Sequence, residues 1–133
     1  MRHEAIIERL KHNFEQFGVG NRQPFLDFLA DDVVIKLPFP SNVPWRGIHT
    51  GKDRMRWYLD LVAETLDFES FELLGVFGSG DTYAVHLRER VRVKSTGKSI
   101  DHEQIFLYRI KDSRIVEYQE FGDTGAFREG FEA

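Results

Sequence analysis

Residues 28–58 read FLADDVVIKLPFPSNVPWRGIHTGKDRMRWY and lead from the end of a helix through a strand and an aromatic loop into another helix. Val33, Val34 and Ile35 are β-branched residues that favour a strand. Prolines at positions 38, 40 and 44 then prevent regular strand pairing. The loop that they stiffen carries Phe39 and Trp45. We expect this rigid aromatic loop to cover a pocket.

Three helices are predicted before the long β-rich part of the chain. Apolar residues recur every three or four positions over residues 3–17, which is typical of an amphipathic helix. Asn21 is a suitable cap for a short second helix that extends through Leu29. The segment from Thr50 to Asp53 resembles a capping box, and a third helix is predicted from there over residues 52–65.

From Phe68 onward the hydrophobic period changes to two, and turn residues divide the chain into four strands. Their predicted ranges are 68–77, 82–94, 99–111 and 114–121. Helices followed by such an antiparallel meander make an α+β domain whose helices cover one face of a curved sheet. In the tail that follows, Phe127 and Phe131 lie one helical turn apart and could close the mouth of the domain.

The composition limits the classes of function. With 133 residues, 41% of them hydrophobic, the chain fits one domain with a substantial core, and its 12 phenylalanines suggest ring-lined walls. A net charge of −4 with acids and bases interspersed argues against a nucleic-acid partner. Because there is no cysteine, disulfides, thiolate catalysis and cysteine metal sites are excluded.

The first 14 residues carry charges every few positions, so they fit neither a secretory signal nor a membrane span. From this we expect a soluble, cytoplasmic protein with no membrane partner. No glycine-rich phosphate loop is visible, and no cofactor is predicted.

Strand alternation gives the first candidate for chemistry. Glu89 shares the apolar face of the strand at 82–94, so its carboxyl would favour the neutral form and could act as a general acid or hydrogen-bond donor. Alternatively, Glu89 lies near an open end and pairs with an arginine. Arg88, Arg90 and Arg92 occupy the other face and are expected to meet solvent or a partner's carboxylates.

Three segments carry a family resemblance: residues 28–33 (FLADDV), the approach from Gly47 to Gly51, and residues 114–123 (RIVEYQEFGD). Over nearly the whole chain this order resembles the SnoaL-like branch of the NTF2-like superfamily, which includes ketosteroid isomerases, polyketide cyclases and limonene epoxide hydrolase. The resemblance implies one domain over residues 1–133. Its expected fold is an NTF2-like cone, with N-terminal helices packed on a curved, mainly antiparallel β-sheet.

The resemblance also suggests functional residues. Gln104 falls at or next to the position of the isomerases' hydrogen-bond-donating acid, which implies that Gln104, His102 and Phe106 face inward. His102 could then move a proton at neutral pH, although a histidine in a sheet is more often an ordinary satisfied polar residue. Asp123 resembles the acid/base aspartate of SnoaL-like cyclases, but an aspartate before Thr-Gly is also an ordinary helix cap, and the two roles are not exclusive.

Tyr118 and Glu120 fall where isomerases line the steroid cavity, an arrangement useful for enolate stabilisation. The classical ketosteroid isomerase site is not retained, because its strand-end base falls on Leu37 and its helix-one tyrosine on Phe14 or Asn13. The epoxide hydrolase set of two aspartates and an arginine is not recognisable either. His86, His102 and Glu103 are metal-ligating residue types, but their side chains alternate between faces, so no metal is predicted.

The sequence thus predicts a pocket protein for an apolar, carbonyl-bearing ring compound such as a polyketide or terpenoid, with cofactor-independent acid/base isomerase or cyclase activity. The alternative is a non-catalytic ligand-binding or association module on the same fold. We also expect a homodimer through the uncovered sheet face. The catalytic candidates are Asp123, His102 and Glu120, and the substrate-binding candidates are Phe14, Phe39, Trp45, Tyr58, Glu89, Gln104, Phe106 and Tyr118.

Overall fold

The computed structural model describes all residues, 1–133. It has four helices and six strands. The helices are α1 (His3–Gly18), α2 (Gln23–Phe28), α3 (Lys52–Thr65) and α4 (Thr124–Phe131). The strands are β1 (Leu29–Leu37), β2 (Gly47–Thr50), β3 (Leu66–Ser79), β4 (Thr82–Val93), β5 (Ser99–Lys111) and β6 (Arg114–Phe121).

All six strands form one curved sheet in the order β2-β1-β6-β5-β4-β3. The strands β3 to β6 make the predicted antiparallel meander, while β1 joins it by parallel pairing with β6. The helices lie against one face of the sheet, as α1 contacts β3 and α3 contacts β1. The predicted α+β architecture is confirmed.

The transition between α2 and β1 differs from the prediction. The sequence pattern extends the second helix through Leu29, but α2 ends at Phe28 and Leu29 begins β1, where it pairs with Ile115. Both residues of this pair are fully buried. Burial against a distant strand therefore overrides the local helical period at this point. The pairing is irregular between Leu29 and Val34, around the two aspartates.

The short strand β2 was not predicted, and the capping box proposed for α3 is absent. Only four residues long, β2 pairs antiparallel with β1 at the sheet edge. The N-cap of α3 is Gly51, which has no side chain to cap the helix. Gly51 has a φ of 101° and donates its N–H to the Val33 carbonyl at 2.8 Å, so the glycine turns the chain from β2 into α3.

The inner face of the sheet packs against the helices through an apolar core, to which α1 contributes Ile6 and Leu10, and β4 contributes Val85 and Leu87. Five buried residues are polar or charged, and they identify the region in which chemistry should be sought. They are Asn13, Glu89, His102, Gln104 and Glu120.

The outer face of the sheet pairs its charges within the chain. Arg88 binds Asp101 at 3.0 Å and Arg92 binds Asp67 at 2.6 Å, so these arginines are outward, as predicted. Glu89 pairs with no arginine. The three residues with metal-ligating side chains lie on different faces of the sheet. His86 and Glu103 contact each other on the outer face, whereas His102 is buried on the inner face. No helix combines the length and apolar character needed to cross a bilayer.

Candidate functional site

A cavity of about 410 Å³ lies between α1, α3 and the inner face of the sheet. Its size is in the range of small-molecule sites, and its walls are mostly apolar. The deeper walls come from strands β4, β5 and β6, which contribute alternate residues to the same face. The apolar lining consists of Leu10, Phe14, Phe17, Phe25, Phe39, Trp45, Leu59, Val62, Ala63, Leu66, Phe68, Phe71, Phe106 and Phe127 together with the tyrosines at 58, 108 and 118.

The proline-rich loop and α4 cover one side of this cavity. Trp45 of the loop is almost fully buried and packs edge-on against Phe39 at 5.9 Å and Phe127 at 6.5 Å between ring centroids. Phe131 approaches the same indole at 5.7 Å. Both aromatic residues of α4 therefore close the domain next to the loop, as the spacing of Phe127 and Phe131 predicts.

Glu120 forms the first polar centre of the cavity. It is 5% exposed, and the hydroxyls of Tyr58 and Tyr118 both donate to its Oε2, at 2.5 and 2.6 Å. Because one oxygen accepts both bonds, the other, Oε1, is left without a hydrogen bond on a residue that lines the cavity. A proton taken up by Glu120 is thus directed to Oε1, where it can reach a ligand.

The surroundings of Glu120 bring the pKa of its carboxyl close to neutral pH. The pKa of this carboxyl is raised to about 7, mainly by burial. The hydrogen bonds from Tyr118 and Tyr58 act in the opposite direction, and the negative charge of Glu89 adds to the effect of burial. Burial, followed by the field of Glu120, raises the pKa of Tyr58 and Tyr118 well above the usual range for tyrosine. Both hydroxyls therefore stay protonated and remain donors.

Glu89 forms the second polar centre. The amide of Gln104 donates to Glu89 Oε1, while Oε2 lies 3.8 Å from His102 Nε2, which is too far for a hydrogen bond. His102 Nδ1 accepts from the backbone N–H of Asp123 at 3.1 Å, and this assigns the proton of the neutral ring to Nε2, on the side of Glu89. A side chain at Gly122 would come within 2.8 Å of the imidazole, so this glycine allows the ring to lie there.

The three catalytic candidates are not brought together. Only Glu120 lines the cavity; His102 lies behind Glu89, and the exposed carboxylate of Asp123 caps α4 by accepting from the Ala126 N–H at 2.9 Å. Of the two roles that the sequence allowed for Asp123, the structure shows the cap. The physical reason is that β6 ends at Phe121, after which the chain turns out of the sheet and strand alternation no longer determines direction.

The substrate-binding candidates are better placed, since all of them line the cavity. They are Phe14, Phe39, Trp45, Tyr58, Glu89, Gln104, Phe106 and Tyr118. Sequence reasoning missed Asn13 and Arg22, which also line it. The amide of Asn13 is buried without a partner in the protein. The only sequence feature that pointed to Asn13 is that it falls at or next to the helix-one position where isomerases have a tyrosine. Nothing in the sequence indicated Arg22.

Comparison with known proteins supports the fold. Residues 10–118 match the model of the SnoaL-like domain family. An NTF2-like protein from Burkholderia xenovorans is similar with 22% identity over 99% of each chain and a TM-score of 0.86. A candidate SnoaL-like polyketide cyclase from Mesorhizobium loti shares 21% identity over 87% of this chain and 97% of that one, with a TM-score of 0.74.

A further neighbour is TerC, crystallised with polyporic acid, with 18% identity over 96% of this chain and 98% of that one and a TM-score of 0.78. None of the curated proteins matches the chain. At such identities the likeness between structures supports the fold alone, and it agrees with the NTF2-like cone expected from the sequence. Since the family model covers residues 10–118, most of the chain, the chain belongs to the SnoaL-like domain family.

Proposed function

We propose that this protein binds an apolar ring compound with a carbonyl group and transfers protons at carbon next to that carbonyl, as a cofactor-independent isomerase or cyclase. The observation that carries the proposal is the Glu120 centre. Its carboxyl lies at the wall of an apolar cavity, with Oε2 held by Tyr58 and Tyr118 and Oε1 free. A general acid/base works best when its pKa is near the working pH, and that of Glu120 is raised to about 7.

In the proposed reaction, ionised Glu120 removes a proton from the carbon next to the carbonyl and receives it on Oε1. The neutral acid then returns the proton to another position of the same ligand. In a ring closure, the enolate carbon instead attacks a second carbonyl, and neutral Glu120 gives its proton to the alkoxide that forms. Tyr58 and Tyr118 stabilise the carboxylate and fix its orientation, which reduces the reorganisation needed in each step.

The carbonyl oxygen needs a hydrogen-bond donor while charge develops on it. The sequence predicts Gln104 and Tyr118 in this role, but the single hydroxyl hydrogen of Tyr118 is donated to Glu120, and the amide of Gln104 is held by Glu89 with one N–H left over. Two other donors belong to residues that line the cavity. Asn13 Nδ2 and Trp45 Nε1 are both buried without a partner in the protein. We therefore assign the oxygen-binding role to these two side chains. His102 does not line the cavity and makes no hydrogen bond to Glu89, so it has no direct part in the proposed step.

Structural neighbours favour the same class of ligand. The Mesorhizobium loti protein is a candidate SnoaL-like polyketide cyclase, and TerC was crystallised with polyporic acid. These two descriptions apply to those proteins and not to this chain. For this chain they support a cyclic, oxygen-bearing ligand in a cavity whose walls are largely aromatic.

Deuterium exchange tests the proposal without knowledge of the natural substrate. Fused-ring ketones such as 2-decalone and 1-tetralone are incubated with the protein in heavy water, and the exchange of hydrogens next to the carbonyl is followed by NMR. We expect the wild-type protein to accelerate exchange and Glu120→Gln to lower the rate by on the order of 10²-fold.

Two controls accompany this assay. Glu103→Gln removes an exposed carboxyl from the outer sheet face and should leave the exchange rate unchanged. Asp123→Asn should change it less than about twofold, because asparagine also caps helices and the Asp123 carboxylate lies outside the cavity. Ketones that bind to the wild-type protein but exchange no faster than in buffer would favour the non-catalytic ligand-binding module.

A further inference from the structure

The exposed residues of the lining indicate that the cavity opens to solvent between the α1–α2 turn and the segment that leads from the end of α3 into β3. Among the lining residues, the exposed ones are Gly18 and Gly20 on one side and Ala63 and Phe68 on the other. The two acidic centres are buried on the sheet, so they lie away from this mouth. A ligand that enters here meets the residues of the rim first.

Arg22 is the one cationic residue in the cavity lining, and it lies at this rim. Its guanidinium Nη1 binds Asp60 Oδ1 at 2.6 Å, which links the α1–α2 turn to α3. The Arg22 and Asp60 side chains are 34% and 62% exposed. Ion pairs as exposed as this one contribute little free energy, so another anion can replace Asp60 at small cost.

The rim beside Arg22 is kept free of side chains. A Cβ added at Gly18 or Gly20 would meet no atom within 4 Å, so both glycines adjoin open space. Gly20 has a φ of 80°, which the turn requires, but Gly18 has an ordinary helical backbone. Arg22 is therefore accessible to a group carried on a ligand.

Charge inside the cavity fixes the direction of such a ligand. The remaining charged residues of the lining, Glu89 and Glu120, are both acidic and buried. An anionic group placed among them would face carboxyls of the same sign in a poorly solvated space. The same group at the mouth would meet Arg22 and water.

We propose that the ligand of this cavity is an amphipathic ring compound with an anionic group, a carboxylate or a chemically similar acid, which binds Arg22 at the mouth in exchange for Asp60. Its apolar part fills the aromatic cavity and places the reacting carbonyl near Glu120. This subsite deepens the proposed function and rests on its premise that the cavity holds the ligand.

A pair of fluorescent probes tests the subsite directly. The probes 8-anilinonaphthalene-1-sulfonate and N-phenyl-1-naphthylamine share one ring framework and differ in the sulfonate. We expect Arg22→Gln to weaken binding of the sulfonate by about three- to tenfold and to leave the neutral probe within about twofold. Asp60→Asn should tighten the sulfonate by a few fold, and added salt should reduce both effects.

The chain supplies a matched control. Arg56 binds Asp53 at 2.8 Å on α3 and is also partly exposed, at 48%, but neither residue lines the cavity. Arg56→Gln and Asp53→Asn should therefore leave both affinities unchanged. Gly18→Leu fills space at the mouth and should weaken both probes, which locates them in the cavity.

The outcomes separate the subsite from the proposed function. If Arg22→Gln affects both probes equally, or neither, the anionic subsite is refuted while the cavity and its acid/base chemistry stand. If neither probe binds, or Gly18→Leu affects neither, the cavity does not bind these ligands and the subsite is refuted as well. Loss of isotope exchange in Glu120→Gln would still support proton transfer in either case.

Discussion

The carboxyl of Glu120 shows how local surroundings set the acidity of a single residue. Burial favours the neutral form, whereas the donors on Tyr58 and Tyr118 favour the charged form. Burial is the larger effect, and the pKa rises from 4.5 to about 7 on folding. The folded protein thus binds this proton more tightly than the unfolded chain does.

This difference predicts how stability depends on pH. The contribution of Glu120 is fully present below pH 4.5 and is lost as the pH rises through about 7, because the unfolded chain releases the proton first. Relative to Glu120→Gln, which does not titrate, the wild-type protein should lose up to about 3 kcal/mol of unfolding free energy across this window. Urea unfolding of both proteins at several pH values measures it, with Glu103→Gln as a control that should follow the wild type.

A difference between wild type and Glu120→Gln that does not change with pH would contradict the raised pKa.

The sequence predicts inward residues well where a strand is regular. Alternation indicates the inner face for Glu89 because neighbouring side chains of a strand point to opposite sides, and the family resemblance implies the inner face for Gln104 and Glu120. The resemblance fails for Asp123, which lies after the strand ends. The contact between Tyr58 and Glu120 was also unpredictable, because it joins residues 62 positions apart whose side-chain directions depend on how α3 packs on the sheet.

At the scale of elements, α3 is predicted at its observed bounds, Lys52–Thr65, because its apolar period is local information. The strands β1 and β2 are predicted incompletely, since their limits depend on pairing partners. Leu29 becomes part of β1 through its contact with Ile115, and β2 exists only as an edge strand on β1. Neither partner can be found from hydrophobic period alone.

The fluorescence of Trp45, in the proline-rich loop, gives an optical signal for ligand binding. Trp45 lines the cavity, whereas Trp57 of α3 packs outside it against His49 and beneath the guanidinium of Arg54, 3.9 Å from the ring centroid. Titration with 2-decalone should therefore change the emission of Trp45 and leave that of Trp57 constant. The signal should persist in Trp57→Phe and disappear in Trp45→Phe. The reverse pattern would place the binding site outside the cavity.

At the scale of the whole molecule, the outer sheet face has two parts. One is the charged set described above; the other is apolar and follows a row across the sheet through Phe77, Ala84 and Leu107, with Phe121 on the neighbouring row. Phe77 is 55% exposed and Phe121 45%. Apolar and charged areas side by side on one face suit contact with a second copy related by a twofold axis.

We therefore expect a homodimer, for which light scattering at micromolar concentration should give about twice the chain mass of 15.6 kDa. Phe121→Glu should shift the protein toward the monomer because it places a charge in the contact. Val19→Glu changes an exposed apolar residue outside the sheet and should not alter the mass. A wild-type monomer over the whole accessible concentration range would contradict this expectation.

The most direct test of the central claim, that Glu120 exchanges a proton at the cavity near neutral pH, is a ¹³C NMR titration of protein labelled at the glutamate carboxyls. We predict one resonance that is absent from Glu120→Gln and titrates with a midpoint of about 7. In Tyr58→Phe its midpoint should rise further, since that hydrogen bond lowers the pKa. If every glutamate carboxyl of the wild-type protein titrates near 4.5, the ordinary value, the account of the site is contradicted.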